Sequence, residues 1–180
     1  SRTSFRYANP LAGGGTDGPA KPVPWCLLEA HRREPMTLSV FERDVLIRFS
    51  HCDPAGIVFF PQYLVMFNNH VEDWVTDGLG ISYAQLLGTR RVGLPTVNLQ
   101  CDFKAISRMG DVVTYGVSVQ RLGTRSLELA LHCRCGDELR VQVRQTLVCT
   151  SLDTHRAIVF PPDLRTALEK FQQNPKEISS

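Results

Sequence analysis

The sequence predicts an α+β domain in which an antiparallel sheet wraps around one long helix. Three observations carry this expectation. Apolar residues alternate with polar ones over several stretches between Val45 and Cys149, the period of strands with one buried face. The segment from Tyr63 to Val75 keeps instead the three- and four-residue spacing of an amphipathic helix. Gly136-Asp137, between two alternating runs, is a two-residue hairpin signal that makes those neighbours antiparallel.

Residues 1 to 35 come first and differ from the rest. Leu11-Ala-Gly-Gly-Gly-Thr-Asp-Gly-Pro19 and Lys21-Pro-Val-Pro24 are turn-rich and aperiodic, a composition that buries little core. They are expected to form a flexible extension, with Met36 as natural start or domain boundary. One domain then spans 36 to 172, and 173 to 180 form a flexible tail. Val45, Ile47 and Phe49 predict the first strand. Pro61 opens the helix, whose apolar face holds Tyr63, Leu64, Phe67, Val71, Trp74 and Val75, with Gly78 as its cap. A short helix is expected over Ser82 to Leu87 and a last one over Asp163 to Phe171. Between them four strands follow, read from Pro95 to Phe103, Val113 to Val119, Leu127 to Cys135 and Leu139 to Cys149. Leu122-Gly-Thr124 and Gly136-Asp137 mark turns. A helix with so wide an apolar face must be wrapped by the sheet, and that arrangement is the hot-dog fold.

Bulk properties exclude several classes. The chain of 180 residues suits one sizeable core. A net charge of +2 calls for no nucleic acid, no apolar run approaches a membrane span, and no signal-peptide core is visible. Six cysteines without a CxxC pair predict reduced thiols and a cytoplasmic protein. Three of them, Cys101, Cys133 and Cys149, read as small core residues.

The chemistry concentrates in His51-Cys-Asp-Pro-Ala-Gly-Ile-Val-Phe-Phe-Pro-Gln-Tyr63. Asp53 sits in an Asp-Pro-Ala-Gly turn that leads over an apolar stretch to a helix N-terminus. An acid beside such an end can attack or hydrolyse an activated carbonyl, because the first amides of the helix stabilise an oxyanion. Asp-Pro-x-Gly is also a common turn composition in its own right. His51 and Cys52 are neighbours on an extended segment and point apart, so they do not form a nucleophile pair. His132-Cys133-x-Cys135 does not read as a zinc site, since His132 and Cys133 take opposite faces of a strand.

The run Asp53-Pro54-Ala55-Gly56-Ile57-Val58-Phe59-Phe60-Pro61-Gln62-Tyr63 resembles the 4-hydroxybenzoyl-CoA thioesterase family of hot-dog proteins. Supporting marks are Gly93-Leu94-Pro95, Phe103 and Asp111 around a loop, Gly123-Thr-Arg-Ser126, and Arg156-Ala-Ile-Val-Phe-Pro161. The resemblance covers about Phe41 to Leu164. It implies hydrolysis of an aryl- or short-chain acyl-CoA, with Asp53 as nucleophile or general base and the backbone N–H of Phe60 on the carbonyl oxygen. It implies that Phe59, Phe67, Asn68 and Gly93 contact the acyl part, and that Arg125, Ser126 and Arg156 contact coenzyme A. It also implies a homodimer with a continuous sheet that assembles to a homotetramer. No metal or redox cofactor is expected, coenzyme A being part of the substrate. Asn68 stands where the 4-hydroxybenzoyl-specific members carry an acid. The polar helix edge of Asn68, Asn69, Glu72 and Asp73 reads as a solvated or dimer-facing edge, or else Asn68, with Glu72 beside it, lines the acyl pocket. Arg90-Arg91 is a further candidate for a basic rim. Two other readings share the fold: a thioesterase acting on acyl carrier protein thioesters, and a non-catalytic acyl-CoA binding module.

Overall fold

The computed structural model describes residues 40–172. The expected extension, with Met36, and the tail 173 to 180 lie outside the described residues. The strands are β1 (Phe41–Leu46), β2 (Val92–Gly93), β3 (Thr96–Phe103), β4 (Val112–Leu122), β5 (Ser126–Cys135), β6 (Glu138–Val148) and β7 (Thr150–Ser151). The helices are α1 (Phe60–Asp73), α2 (Tyr83–Gly88) and α3 (Pro162–Glu169). Five strands form one antiparallel sheet in the order β1-β4-β5-β6-β3, while β2 and β7 make a separate two-stranded sheet. The hot-dog fold expected from the sequence is therefore present.

Alternation decides the packing. Val113, Tyr115, Val117 and Val119 of β4, Leu127, Leu129, Leu131 and Cys133 of β5, and Val141, Val143 and Leu147 of β6 are buried on one face. Against it α1 lays Tyr63, Met66, Phe67, His70 and Val71. Phe67 meets Tyr115 edge-on at 4.8 Å, and Trp74 meets Phe171 of the C-terminal segment edge-on at 5.7 Å. Each such pair adds about 0.5–1.5 kcal/mol beyond the area it buries. Gln145 shares the buried face of β6 and is satisfied by donating to the Thr96 hydroxyl at 2.7 Å.

Several expectations need correction. The first strand ends at Leu46, and Phe49 is 82 % exposed. A tight helical turn over Phe49–His51 replaces the strand because the Arg48 amide donates to His51 Nδ1 at 3.1 Å. Gly78 does not cap the helix. The chain continues as a wider π-type turn, Trp74–Gly78, closed by the Leu79 amide on the Trp74 carbonyl at 2.8 Å. Gly78 is required for a different reason: a Cβ there would lie 2.7 Å from Trp74 Cδ1. The last helix ends at Glu169 and not at Phe171, and β2 with β7 was not foreseen, since two-residue strands carry no period. The short α2 starts as expected, with the Ser82 hydroxyl accepting from the Gln85 amide at 3.3 Å. The Gly136-Asp137 turn closes on the pair Cys135 and Glu138.

His70 is the polar group most deeply embedded in the helix–sheet contact. Its Nε2 lies 3.2 Å from the Phe41 carbonyl and its ring packs on Phe41 and Tyr115. Burial holds it below its ordinary 6.5, at about 4. The unfolded chain therefore binds a proton that the folded one refuses as pH falls from 6.5 towards 4, so stability falls across that window. In urea denaturation at a series of pH values, His70→Gln is expected to show a shallower acid-side loss than the wild type. The difference should be on the order of 3 kcal/mol by pH 4, and parallel curves would remove His70 from the effect.

Candidate active site

The Asp53 turn is the tip of a tight hairpin. Cys52 and Val58 form an antiparallel bridge, the Asp53 amide donates to the Ile57 carbonyl at 3.0 Å, and the Phe59 amide donates to the His51 carbonyl at 3.0 Å. The turn closes with the Gly56 amide on the Asp53 carbonyl at 2.9 Å, and Gly56 sits at φ +75°, a conformation other L-residues rarely adopt. Asp53 Oδ1 accepts the Ala55 amide at 2.8 Å, the Asx-turn bond. Among the described residues Oδ2 receives no hydrogen bond, so half of the carboxylate is available to a reactant.

The hairpin runs straight into α1. A helix start leaves its first amides unbonded, but here the supply is narrowed. Pro61 has no N–H, and the Gln62 amide donates to the Phe59 carbonyl at 2.8 Å. The Phe60 amide has no backbone acceptor among the described residues, and it follows the carboxylate-bearing hairpin directly. Phe60 and Phe59 are 58 % and 47 % exposed. Phe60 meets Phe103 at 6.3 Å and Phe59 at 5.4 Å, both edge-on. A groove of about 220 Å³ opens here, lined by Val58, Phe60, Tyr63, Phe103, Lys104 and Ile106 among others. A second concavity of about 240 Å³ lies on the other face of the sheet, among Gln100, Asp102, Gln120 and Arg144, and includes no residue of the hairpin.

The remaining candidates fall in distinct places. Phe67 is buried against Tyr115 within the core. Asn68 is exposed and its amide donates to Glu72 Oε1 at 2.8 Å, one turn along α1. Gly93 is buried in β2, where a Cβ would stand 2.7 Å from Leu152 Cδ2. Arg125, exposed, precedes β5, and its carbonyl accepts the Cys149 amide at 2.8 Å. Ser126 opens β5 and accepts the Gly123 amide through its carbonyl at 2.8 Å. Arg156 is exposed, and its carbonyl accepts the Ser151 amide at 3.0 Å. The Arg125 and Arg156 loops thus meet around β7, and neither guanidinium has a carboxylate partner among the described residues. Arg90 and Arg91 are engaged instead. Arg90 grips Asp163 through two 2.8 Å bonds, which hold that carboxyl below its ordinary range, and Arg91 donates to Asp153 at 2.9 Å.

His51 and Cys52 have local roles. His51 Nδ1 accepts the Arg48 amide, and the Cys52 thiol lies 3.6 Å from the Arg48 carbonyl. His132 faces Glu42 at 3.5 Å while Cys133 is buried on the opposite face, its thiol pushed up to about 12 by burial. Sequence reasoning missed Lys104 and Ile106 in the groove wall, Tyr63 as part of its floor, and Arg140 behind it. Charged positions alternate along β6, and nothing in that pattern sets Arg140 apart.

A carboxylate with one free oxygen lies on the hairpin that runs into a free helix-start amide, and an aromatic groove opens beside that helix start. The profile of the Thioesterase-like superfamily matches residues 47–168, so the chain belongs to that superfamily, and it is a thioester hydrolase of the hot-dog type. It is 24 % identical over 127 residues to a 1,4-dihydroxy-2-naphthoyl-CoA hydrolase of Synechocystis, covering 71 % of this chain and 85 % of that one. Among solved structures, a gentisyl-coenzyme A thioesterase superposes with a TM-score of 0.63 at 25 % identity, over 72 % of this chain and 98 % of that one. A Staphylococcus aureus protein in complex with CoA superposes with a TM-score of 0.70 at 17 % identity, over 78 % and 90 %.

Because an asparagine oxygen can still accept the Ala55 amide, though less strongly than a carboxylate, Asp53→Asn should lose less stability than Asp53→Ala. Asp53→Ala loses the turn bond and should cost about 1 kcal/mol. Thermal denaturation of the two variants side by side checks this, and equal losses would argue that the side-chain bond does not shape the turn.

Proposed function

We propose that this protein hydrolyses the thioester of an aromatic acyl-CoA, with Asp53 as the catalytic carboxylate. The observation that carries the reading is the free Asp53 oxygen on a hairpin that leads directly into the unbonded Phe60 amide, at the start of a helix that lines an aromatic groove. The Phe60 amide polarises the carbonyl oxygen. Asp53 then takes a proton from water as its oxygen adds to the carbonyl carbon, or adds directly to give a mixed anhydride that water opens. In either route the C–S bond breaks, the acyl group leaves as a free acid, and coenzyme A leaves as its thiol. Phe60 and Phe103 suit the flat face of an aryl group better than a long alkyl chain. Two of the similar proteins are named for 1,4-dihydroxy-2-naphthoyl-CoA and gentisyl-coenzyme A, which supports an aromatic acyl group.

Arg125 and Arg156, exposed and without carboxylate partners among the described residues, are placed in this reading on the phosphates of coenzyme A, where a guanidinium offers two parallel donors. No metal is invoked: the carboxylate and the amide supply both halves of the chemistry. Asn68, with its amide turned to Glu72, lies on the helix edge and serves an acyl group only across a subunit boundary. The strand offered for the junction between two copies is β3. It is one of the two outer strands of the sheet, the other being β1, and Leu99 and Phe103 on its inner face are 43 % and 49 % exposed. Two copies joined edge to edge along β3 would cover these residues. The five described cysteines are free thiols, consistent with a reducing, cytoplasmic setting.

A thiol-release assay over benzoyl-, hydroxybenzoyl-, phenylacetyl- and short aliphatic CoA thioesters tests the function. Asp53→Asn is expected to lower kcat on the order of 10²–10⁴-fold on the best substrate. Tight binding of every thioester with no turnover would mark a binding module instead. Light scattering tests the assembly: the wild type should run as a dimer or larger, and Leu99→Lys should shift it towards the monomer. A monomeric wild type would remove the β3 junction.

A further inference from the structure

The loop joining β3 to β4, residues 104–111, touches both halves of the site. Its first part, Lys104 to Ile106, is groove wall. Its second part carries the Asp53 hairpin: the Val58 amide donates to the Ser107 carbonyl at 2.9 Å, and the Met109 amide donates to the Gly56 carbonyl at 3.3 Å. The loop has little apolar anchorage of its own, since Ile106 and Met109 are 45 % and 57 % exposed.

Arg140 of β6 holds it in place. The Arg140 carbonyl accepts the Lys104 and Ala105 amides at 2.8 and 3.2 Å. Its side chain is only 13 % exposed, and the guanidinium donates to the Ile106 carbonyl, lies 4.0 Å from Asp111 Oδ2 and pairs with Glu138 at 3.1 Å. Asp111 Oδ2 in turn accepts the Arg108 amide at 2.9 Å. A planar guanidinium can span these acceptors at once, which an ammonium cannot. Removing it leaves a carbonyl and a carboxylate short of their partner in a partly dry site.

We propose that Arg140 is a positioning residue for thioester hydrolysis: by clamping the loop, it sets where Asp53 stands relative to the Phe60 amide and the groove. This rests on Asp53 being the catalytic carboxylate. A clamp of this kind acts on the step that needs alignment, and misplacement by about 1 Å can cost on the order of 10²-fold.

The test compares Arg140→Gln and Arg140→Lys in the wild-type and Asp53→Asn backgrounds, in the thiol-release assay. In the wild-type background kcat should fall on the order of 10- to 100-fold for Gln, and Lys should recover part of it. In the Asp53→Asn background the same changes should add little, because there is no carboxylate left to place. Equal fold-losses in both backgrounds would mean general damage to the fold and would overturn the proposal, as would undiminished turnover of Arg140→Gln. If Arg140→Gln does not fold, Arg140→Lys and Asp111→Asn carry the same comparison. Wild-type turnover of Asp53→Asn alone is the distinct result that removes the catalytic reading, and the positioning role with it.

Discussion

Everything in this domain depends on burying one face of α1. Tyr63, Met66, Phe67 and Val71 present an apolar stripe that water would penalise by roughly 1.5–3 kcal/mol per side chain. The inner faces of β4, β5 and β6 are the matching surface. Once that contact forms, the N-terminus of α1 has a fixed position over the end of the sheet, and whatever precedes it in the chain must arrive there. What precedes it is the hairpin that carries Asp53. The catalytic candidates are thus placed by a hydrophobic contact in which they take no part.

The same contact explains which parts of the protein were legible in the sequence. Long, strictly alternating runs and the helical stripe were read correctly because their period is imposed by burial, and burial governs most of their residues. Phe49 was misread because a local bond from the Arg48 amide to His51 overrides the alternation that Val45 and Ile47 begin. Gly78 was misread because a glycine needed for close approach of an indole looks, in one dimension, like a glycine needed for a helix end. The Asp-Pro-Ala-Gly turn was legible because turn chemistry is local. The clamp by Arg140 was not, since a bridge of 34 residues in sequence to Ile106 leaves no trace in a single chain.

The charged residues divide by their work. Arg90, Arg91 and Arg140 are engaged by carboxylates or carbonyls within the domain, whereas Arg125 and Arg156 stand exposed on loops gathered at β7. Exposed ion pairs such as that of Arg91 and Asp153 add little to stability. Their effect is to take two cations out of a rim that the dipeptide Arg90-Arg91 suggested.

Phe60 joins two tasks in one residue: its ring lines the groove, while its amide is the proposed donor to the carbonyl oxygen. The amide belongs to the backbone and is indifferent to the side chain, except that proline would abolish it. Position 60 can therefore exchange one ring for another, or for a small residue, and reshape the space for the acyl group while the polarising donor stays put. Substrate range in such a site can drift by mutation without passing through an inactive intermediate. That is an inherited freedom to change diet, built into the geometry of a helix end.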